Sequence, residues 1–576
     1  MTEVALFAGV VVLYGFTFSS VPTADGYWYV DQIDKRIYKD ILNATSAGTQ
    51  VLMYGLRRLF DLLRVPVSTL ALIQAVNAAV AGVGVVVLYR TLRLIGGWLP
   101  SVVGAVLLAV SFGYWFFANG ERQHLSLVVL LAIFAGLVRA RVGVGPGSLF
   151  ATVVRLLNAA MRCLSVVAAT RLLNPVAFMG LANGVAVALR QENFLFGFAA
   201  VSLLMVGRPW RAGVRDAAIY TAAGSVGTLV CSALLALFAV LSGTDTFGEY
   251  LRYYFGGWLV DSVGGQQDYQ AFEHAMRFDV PRVIKGQLTA LAAGTQVVFD
   301  TARGLVALSQ RKVAALVALT ALAGVLMILL AADLWRARRL VRGPRLAVAV
   351  GCVVWLVVYA VLHARFWPTV TKYQVVSLPP LILLLMLGTL ARPAEDDDAA
   401  GSWRRGVWCA LSLVLVVFVI NVWAGIRPWY QYGQLKERLA ERRDREFRQT
   451  DLFISTESGI DRIFDRVGEH IHVKNALIKT TDDEVFSAIT EAIRERLDQQ
   501  QRVFVYNFVP SPYSLIGINQ ASTRGPRPLT TRDFDSFFAR LQKTYATRQV
   551  FAYWEEGKAP LYLFGDRLEP FWELAK

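Results

Sequence analysis

Long apolar runs, most of them closed by a short cluster of arginines, recur along the first three-quarters of the chain. No other feature constrains the fold as much. A bilayer core takes roughly 20 apolar residues per helix, and the runs at 4–20, 67–88, 98–118, 124–138, 176–189, 194–206, 217–241, 314–332, 346–362, 375–390 and 407–422 fit that scale, the fourth to sixth being short. The reading is about eleven transmembrane helices. The chain is 55% hydrophobic and 18% charged, where an ordinary soluble domain carries about 25% charged residues. A soluble enzyme is therefore excluded. The 12% aromatic content and the apolar runs exclude disorder.

The net charge of +15 does not point to nucleic acid. From Arg427 onward Lys+Arg and Asp+Glu nearly balance, 23 against 22, and the excess lies between apolar runs. Such spacing is membrane topology, not a phosphate-binding face. With the N-terminus in the cytoplasm, Arg90, Arg93, Arg139, Arg141, Arg208, Arg211, Arg215, Arg336, Arg338, Arg339, Arg342, Arg345, Arg392, Arg404 and Arg405 fall on the cytoplasmic side. The loops at 22–66, 119–123, 190–193, 242–311 and 363–373 fall outside, with the C-terminal region. Segment 148–174, interrupted by Arg155, Arg162 and Arg171, reads as an interfacial helix. Glu3 stands where a signal peptide would be basic, so the first run reads as an uncleaved anchor. The two expected domains are 1–425, in the membrane, and 426–576, an extracytoplasmic α/β domain behind a charged stalk at 431–448. In that domain strands are expected at 451–457, 503–509 and 549–554, and helices at 486–500 and 534–544. Cys163, Cys231, Cys352 and Cys409 lie in or beside apolar segments and form no metal or disulfide motif.

Four polar spots converge on the outer rim of the bundle, where charged groups persist mainly when paired or functional. Asp25 follows the first run in an aromatic setting with Tyr27; it reads as a general base toward a hydroxyl or as the cap of a helix. Glu121 and His124 follow the third run and either position an acceptor or anchor a turn. Arg190 and Glu192 interrupt some 30 apolar residues; Arg190 binds a phosphate, or the two form a local ion pair. Arg365 and Lys372 open the tenth run as a pair of cations suited to a lipid phosphate, or snorkel to ordinary headgroups. The aromatic, glycine-containing stretch 247–278 reads as a cover for a sugar or as an amphipathic surface helix.

The chain resembles the GT-C membrane glycosyltransferases, in particular their protein O-mannosyltransferase-like and aminoarabinose-transferase-like branches. The resemblance rests on Asp25 just after the first helix, Gln50-Val-Leu-Met-Tyr-Gly-Leu-Arg-Arg-Leu-Phe, Leu88-Tyr-Arg-Thr-Leu-Arg-Leu-Ile, and Ser111-Phe-Gly-Tyr-Trp-Phe-Phe-Ala before the turn with Glu121. It continues through Gly180-Leu-Ala-Asn-Gly-Val-Ala-Val-Ala-Leu-Arg and Phe366-Trp-Pro with Lys372-Tyr and Pro379-Pro380. Two features depart from the family: Asp25 is single and followed by Gly26, and Asn43-Ala-Thr-Ser precedes the juxtamembrane helix. The resemblance implies a polytopic α-helical, GT-C-like membrane protein with a small C-terminal extracytoplasmic α/β domain. It implies transfer of a sugar from a polyprenyl-phosphate donor to a glycan, protein or lipid acceptor, with inversion. Asp25 would be the base, Arg190, Lys372 and Arg365 the phosphate cradle, and Glu121, His124, Glu192 and Tyr27 would position the acceptor and sugar. No metal, cofactor or nucleic acid is expected. The Arg-rich, disulfide-free composition suggests a bacterial inner membrane. The competing readings are a transporter or flippase of lipid-linked sugars and a non-catalytic envelope assembly protein.

Overall fold

The computed structural model describes residues 1–20, 24–43, 46–143, 174–257, 280–302, 311–365, 371–390, 397–427, 429–430, 445, 447–455, 468–472, 482–506, 531–552 and 570–575. The segment 148–173, most of the stalk at 431–448 and the aromatic stretch beyond Gly257 lie outside the described residues. So do the side chains of Asp25, Tyr27, Arg365 and Lys372.

The membrane part contains α1 (Thr2–Thr17), α2 (Ala24–Asp34), α3 (Ala47–Leu62), α4 (Thr69–Ile95), α5 (Trp98–Val110), α6 (Phe112–Phe116) and α7 (Gln123–Val142). There follow α8 (Pro175–Leu189), α9 (Phe196–Met205), α10 (Trp210–Leu241), α11 (Phe247–Arg252), α12 (Val280–Leu291) and α13 (Gly294–Ala302). The last are α14 (Arg311–Ala337), α15 (Pro344–Arg365), α16 (Leu378–Leu390) and α17 (Asp397–Asn421). Each of the eleven apolar runs contains a helix. Among the described residues six helices are long and apolar enough to cross a membrane, or seven if the bent pair α5 and α6 is one span; α1, α8 and 375–390 are shorter apolar helices. The expected span count of eleven is thus not what helix length alone supports.

Two departures from simple spans have local causes. The run 98–118 breaks at Ser111, where the helix bends by 57°. Asn421, fully buried in α17, donates to the Val110 carbonyl at 2.8 Å and to the Leu291 carbonyl at 2.9 Å, and accepts from the Ala293 amide at 2.8 Å. One amide therefore satisfies backbone groups exposed by two helix breaks, a need that is acute away from water. Helices α8 and α9 have 15 and 10 residues, and at 1.5 Å per residue each falls short of a core of about 30 Å. They meet at the Arg190–Leu195 turn.

Helices α8 and α10 approach at backbone contact. A Cβ on Gly184 would lie 2.4 Å from Gly227 backbone, and one on Gly180 would lie 2.3 Å from the Tyr220 carbonyl oxygen. Small residues four apart are how helices pack without a hydrophobic driving force between them. At the other end of α1, Glu3 pairs with Arg90 through Nε at 2.7 Å, fixing α1 against α4.

The C-terminal region holds a five-stranded mixed sheet with β1 (Asp451–Ser455), β2 (Gly468–His472), β3 (Val503–Tyr506), β4 (Ala546–Ala552) and β5 (Pro570–Ala575), in the order β2-β1-β3-β5-β4. Strands β1, β2 and β3 are parallel; β5 runs antiparallel to both neighbours. Alternation sorts the side chains: Leu452, Ile454, Val503 and Val505 pack with Val485, Ile489 and Ile493 of α18 (Asp482–Asp498) and with Phe537 and Leu541 of α19 (Thr531–Thr544). Phe453 and Phe504 stack on the other face, with ring centroids 5.6 Å apart.

Candidate active site at one end of the bundle

The turn before α7 is built by α4. Gln74 Nε2 donates to the Ser19 carbonyl and to Asn119 Oδ1, both at 2.8 Å, and the Ser19 amide donates to the same Oδ1 at 2.9 Å. Asn77 Nδ2 donates to the carbonyls of Ala118 at 3.1 Å and Glu121 at 2.6 Å. Gly120 turns the chain at φ 146°, a conformation that residues with a Cβ rarely adopt. The end of α1, the start of α4 and the 119–122 turn are thereby one polar unit, with Glu121 buried inside it.

The second turn follows α8. The last carbonyls of a helix need partners, and here they come from several elements. Asn193 Nδ2 donates to Ala186 O at 2.8 Å, the Tyr254 hydroxyl to Val187 O at 3.2 Å and the Thr49 hydroxyl to Leu189 O at 3.2 Å. Gln191 Nε2 donates to the Tyr254 carbonyl, and the Tyr359 hydroxyl lies 3.1 Å from Asn193 Oδ1. Helix α3 seats directly on this turn, since a Cβ on Gly48 would lie 2.6 Å from the Ala188 oxygen. Arg190 leaves from it nearly buried, its guanidinium 2.8 Å from Glu192.

The two turns meet around two tyrosines. The Arg122 guanidinium lies 4.0 Å from the Tyr29 ring centroid, and that of Arg190 lies 5.5 Å from the Tyr373 centroid, both within cation–π range. The Tyr29 phenol feels Arg122, Glu121, Tyr373 and Arg190 together. Burial pushes its ionisation well above the ordinary tyrosine range although Arg122 pulls the other way, so it is a neutral donor. Beside them the His363 ring stands 6.1 Å from that of Tyr373, with Nδ1 3.3 Å from Gln374 Oε1.

Of the residues singled out in sequence, the structure brings Glu121, Arg190 and Glu192 to one place, with Arg190 and Glu192 as the ion pair that was one of two readings. Asp25 lies in the first turn of α2. Tyr29 lies four residues further on in the same helix. Helix backbone at Arg365 and Lys372 borders the same end. His124 is not brought to this cluster. It is fully buried, its Nε2 is 2.7 Å from the Tyr114 carbonyl and its ring centroid is 4.9 Å from that of Tyr114 at a 55° tilt, so it packs the bundle interior. Sequence reasoning missed Tyr29, Arg122, Tyr373 and Asn77. The signal for Arg122 was present, a second charge beside Glu121 after a 20-residue apolar run; the tyrosines carried none. The described part of the aromatic stretch, α11 and its continuation to Gly257, seats Tyr250 and Tyr254 on Leu42 and Val187 as a brace for the second turn. Among the described residues no three His, Cys, Asp or Glu side chains are grouped as metal ligands.

The sequence matches no protein-family profile and no curated protein. In overall structure the chain is similar to ArnT from Cupriavidus metallidurans bound to undecaprenyl phosphate, with TM-score 0.51 and 12% identity over 99% of this chain and 97% of that one. It is similar to the apo state of the same protein at TM-score 0.50, again at 12% identity and with the same coverage. At such identity the likeness is one of fold: the chain has the GT-C membrane fold.

Proposed function

We propose that this integral membrane protein moves one sugar from a polyprenyl-phosphate donor to an acceptor hydroxyl or amine at the extracytoplasmic rim. The observation that carries the reading is the meeting of Arg122 and Arg190 with Tyr29 and Tyr373 at one end of a GT-C bundle. Two guanidinium groups beside neutral phenol donors, largely shielded from water, suit a phosphate that gains charge as its bond to the sugar breaks. The bound undecaprenyl phosphate of Cupriavidus ArnT belongs to a protein of the same fold and supports a carrier of that class.

In the proposed step Asp25 accepts the acceptor's proton as the acceptor oxygen or nitrogen attacks the anomeric carbon. The bond from that carbon to the phosphate oxygen breaks, the configuration inverts, and the polyprenyl phosphate leaves with the bonding pair. Arg190 and Arg122, with Lys372 and Arg365, neutralise the leaving phosphate. Glu121, Glu192 and Tyr27 position the sugar and acceptor. The step requires no metal, because side-chain cations can neutralise the leaving phosphate. Incubation of the purified protein with radiolabelled polyprenyl-phosphate sugars and an envelope extract tests the reading. Label should pass to a new product with wild-type protein. Asp25→Asn should insert normally and lose transfer by about 10²–10⁴-fold. Undiminished transfer in that variant would remove Asp25 from the chemistry.

A further inference from the structure

Helices α4, α7, α15 and α16 run from the candidate site to the far end of the bundle, where Ile95, Val142, Pro344 and Leu390 mark their limits. Between those limits lies a cavity of about 690 Å³. Arg93 from the last turn of α4, Arg342 from the turn before α15 and Arg345 from its first turn line it. The Arg93 Nη1 donates to the Gly96 carbonyl at 3.3 Å and the Arg345 Nε to the Ile95 carbonyl at 3.0 Å, so backbone holds both guanidinium groups at the cavity. None of the described lining residues is acidic. Leu94, Val142 and Leu390 supply an apolar wall, and Thr389 lines the same space. The starts of α5 and α15 border the cavity at Gly97 and Pro344, adding the positive ends of two helices. Trp98 stands exposed at that start, the usual place for an interfacial indole.

Topology alone accounts for arginines on one side of a membrane protein. It does not account for three of them, from three elements, around one cavity with a hydrocarbon-like wall. We propose that this cavity binds the phosphate headgroup of an anionic phospholipid. Arg93 and Arg342 would take the phosphate, with Arg345 held beside them on the Ile95 carbonyl, and Leu94, Val142 and Leu390 would take the glycerol and the first acyl carbons. The apolar wall is what commits the site to a lipid over a free phosphate, since a soluble anion would gain nothing from it. The lipid would tie α4 to α15 at the end opposite the candidate site, independently of the sugar-transfer reading.

Native mass spectrometry of the purified full chain tests this, after incubation with phosphatidylglycerol, phosphatidylcholine or glycerol phosphate. One phosphatidylglycerol should remain bound to wild type, in clear preference to phosphatidylcholine, and millimolar glycerol phosphate should not displace it. Arg93→Gln with Arg342→Gln should lower retention by about thirtyfold. Arg338→Gln with Arg339→Gln, on the same face but outside the cavity, should lower it less than about threefold. Equal loss in both pairs, or undiminished retention in the first, would mean general surface charge and overturn the site. Equal retention of phosphatidylcholine, or displacement by glycerol phosphate, would overturn an anionic lipid as its ligand.

Discussion

Single side chains at the candidate site differ in what they can be replaced by. The Arg122 guanidinium carbon lies 4.0 Å from the Tyr29 ring centroid, and a planar guanidinium at that distance can stack on the ring and donate at its edges, as an ammonium cannot. Arg122→Lys should therefore keep the charge and still lower kcat/KM for the lipid donor by about tenfold, with Arg122→Gln lower again. Equal activity of Lys and Arg at this position would reduce its role to charge alone. Asn421 offers a contrast, since it touches no candidate site residue. Its amide makes three hydrogen bonds across two helix breaks. Asn421→Leu should cost about 2 kcal/mol of stability and lower the thermal unfolding midpoint in detergent. An unchanged midpoint would show that water takes over those backbone groups. These residues also mark the limit of reading the chain alone. Arg190, Glu192 and Glu121 stood out because charge is rare among apolar residues. Tyr29 and Tyr373 are two of 21 tyrosines, and nothing in their neighbourhood separates them from the aromatic residues that sit at every membrane interface.

Elements were legible where one physical requirement dominates. Apolar runs had to be helices in a membrane, and each of them is. Breaks were not legible, because their causes lie far away in the chain: the bend at Ser111 is held by Asn421, more than 300 positions later. In the C-terminal sheet, β1, β3 and β4 carry recognisable apolar or β-branched runs, whereas β2 reads Gly-Glu-His-Ile-His and is a strand only because β1 pairs with it. The α8–α10 contact shows what small residues do between helices. At Gly184 and Gly227 there is no room for a side chain, so Gly184→Leu must push the two backbones apart. The variant is expected to give much less detergent-stable protein than Gly9→Leu, where an added Cβ meets nothing within 4 Å. Equal yields would mean that the two helices are held by their loops.

At the scale of the whole molecule, the bundle has two unlike ends. One gathers the 119–122 and 190–195 turns, α2 and the two tyrosines; the other gathers the arginine cavity and the Glu3–Arg90 pair. The arginine bias of the connecting segments predicts that the second end faces the cytoplasm, and the proposed transfer requires the first to face outward. Orientation is thus the point on which the functional reading and the charge distribution must agree, and it is measurable without any substrate. Lys35, in the turn after α2, and Arg338, in the turn after α14, are exposed at opposite ends. In a background without the four native cysteines, Lys35→Cys should react with a membrane-impermeant maleimide on intact cells. Arg338→Cys should react only after the membrane is opened. The reverse pattern would put the candidate site in the cytosol, among nucleotide-activated sugars, and a polyprenyl-phosphate donor presented from the outer leaflet could not reach it.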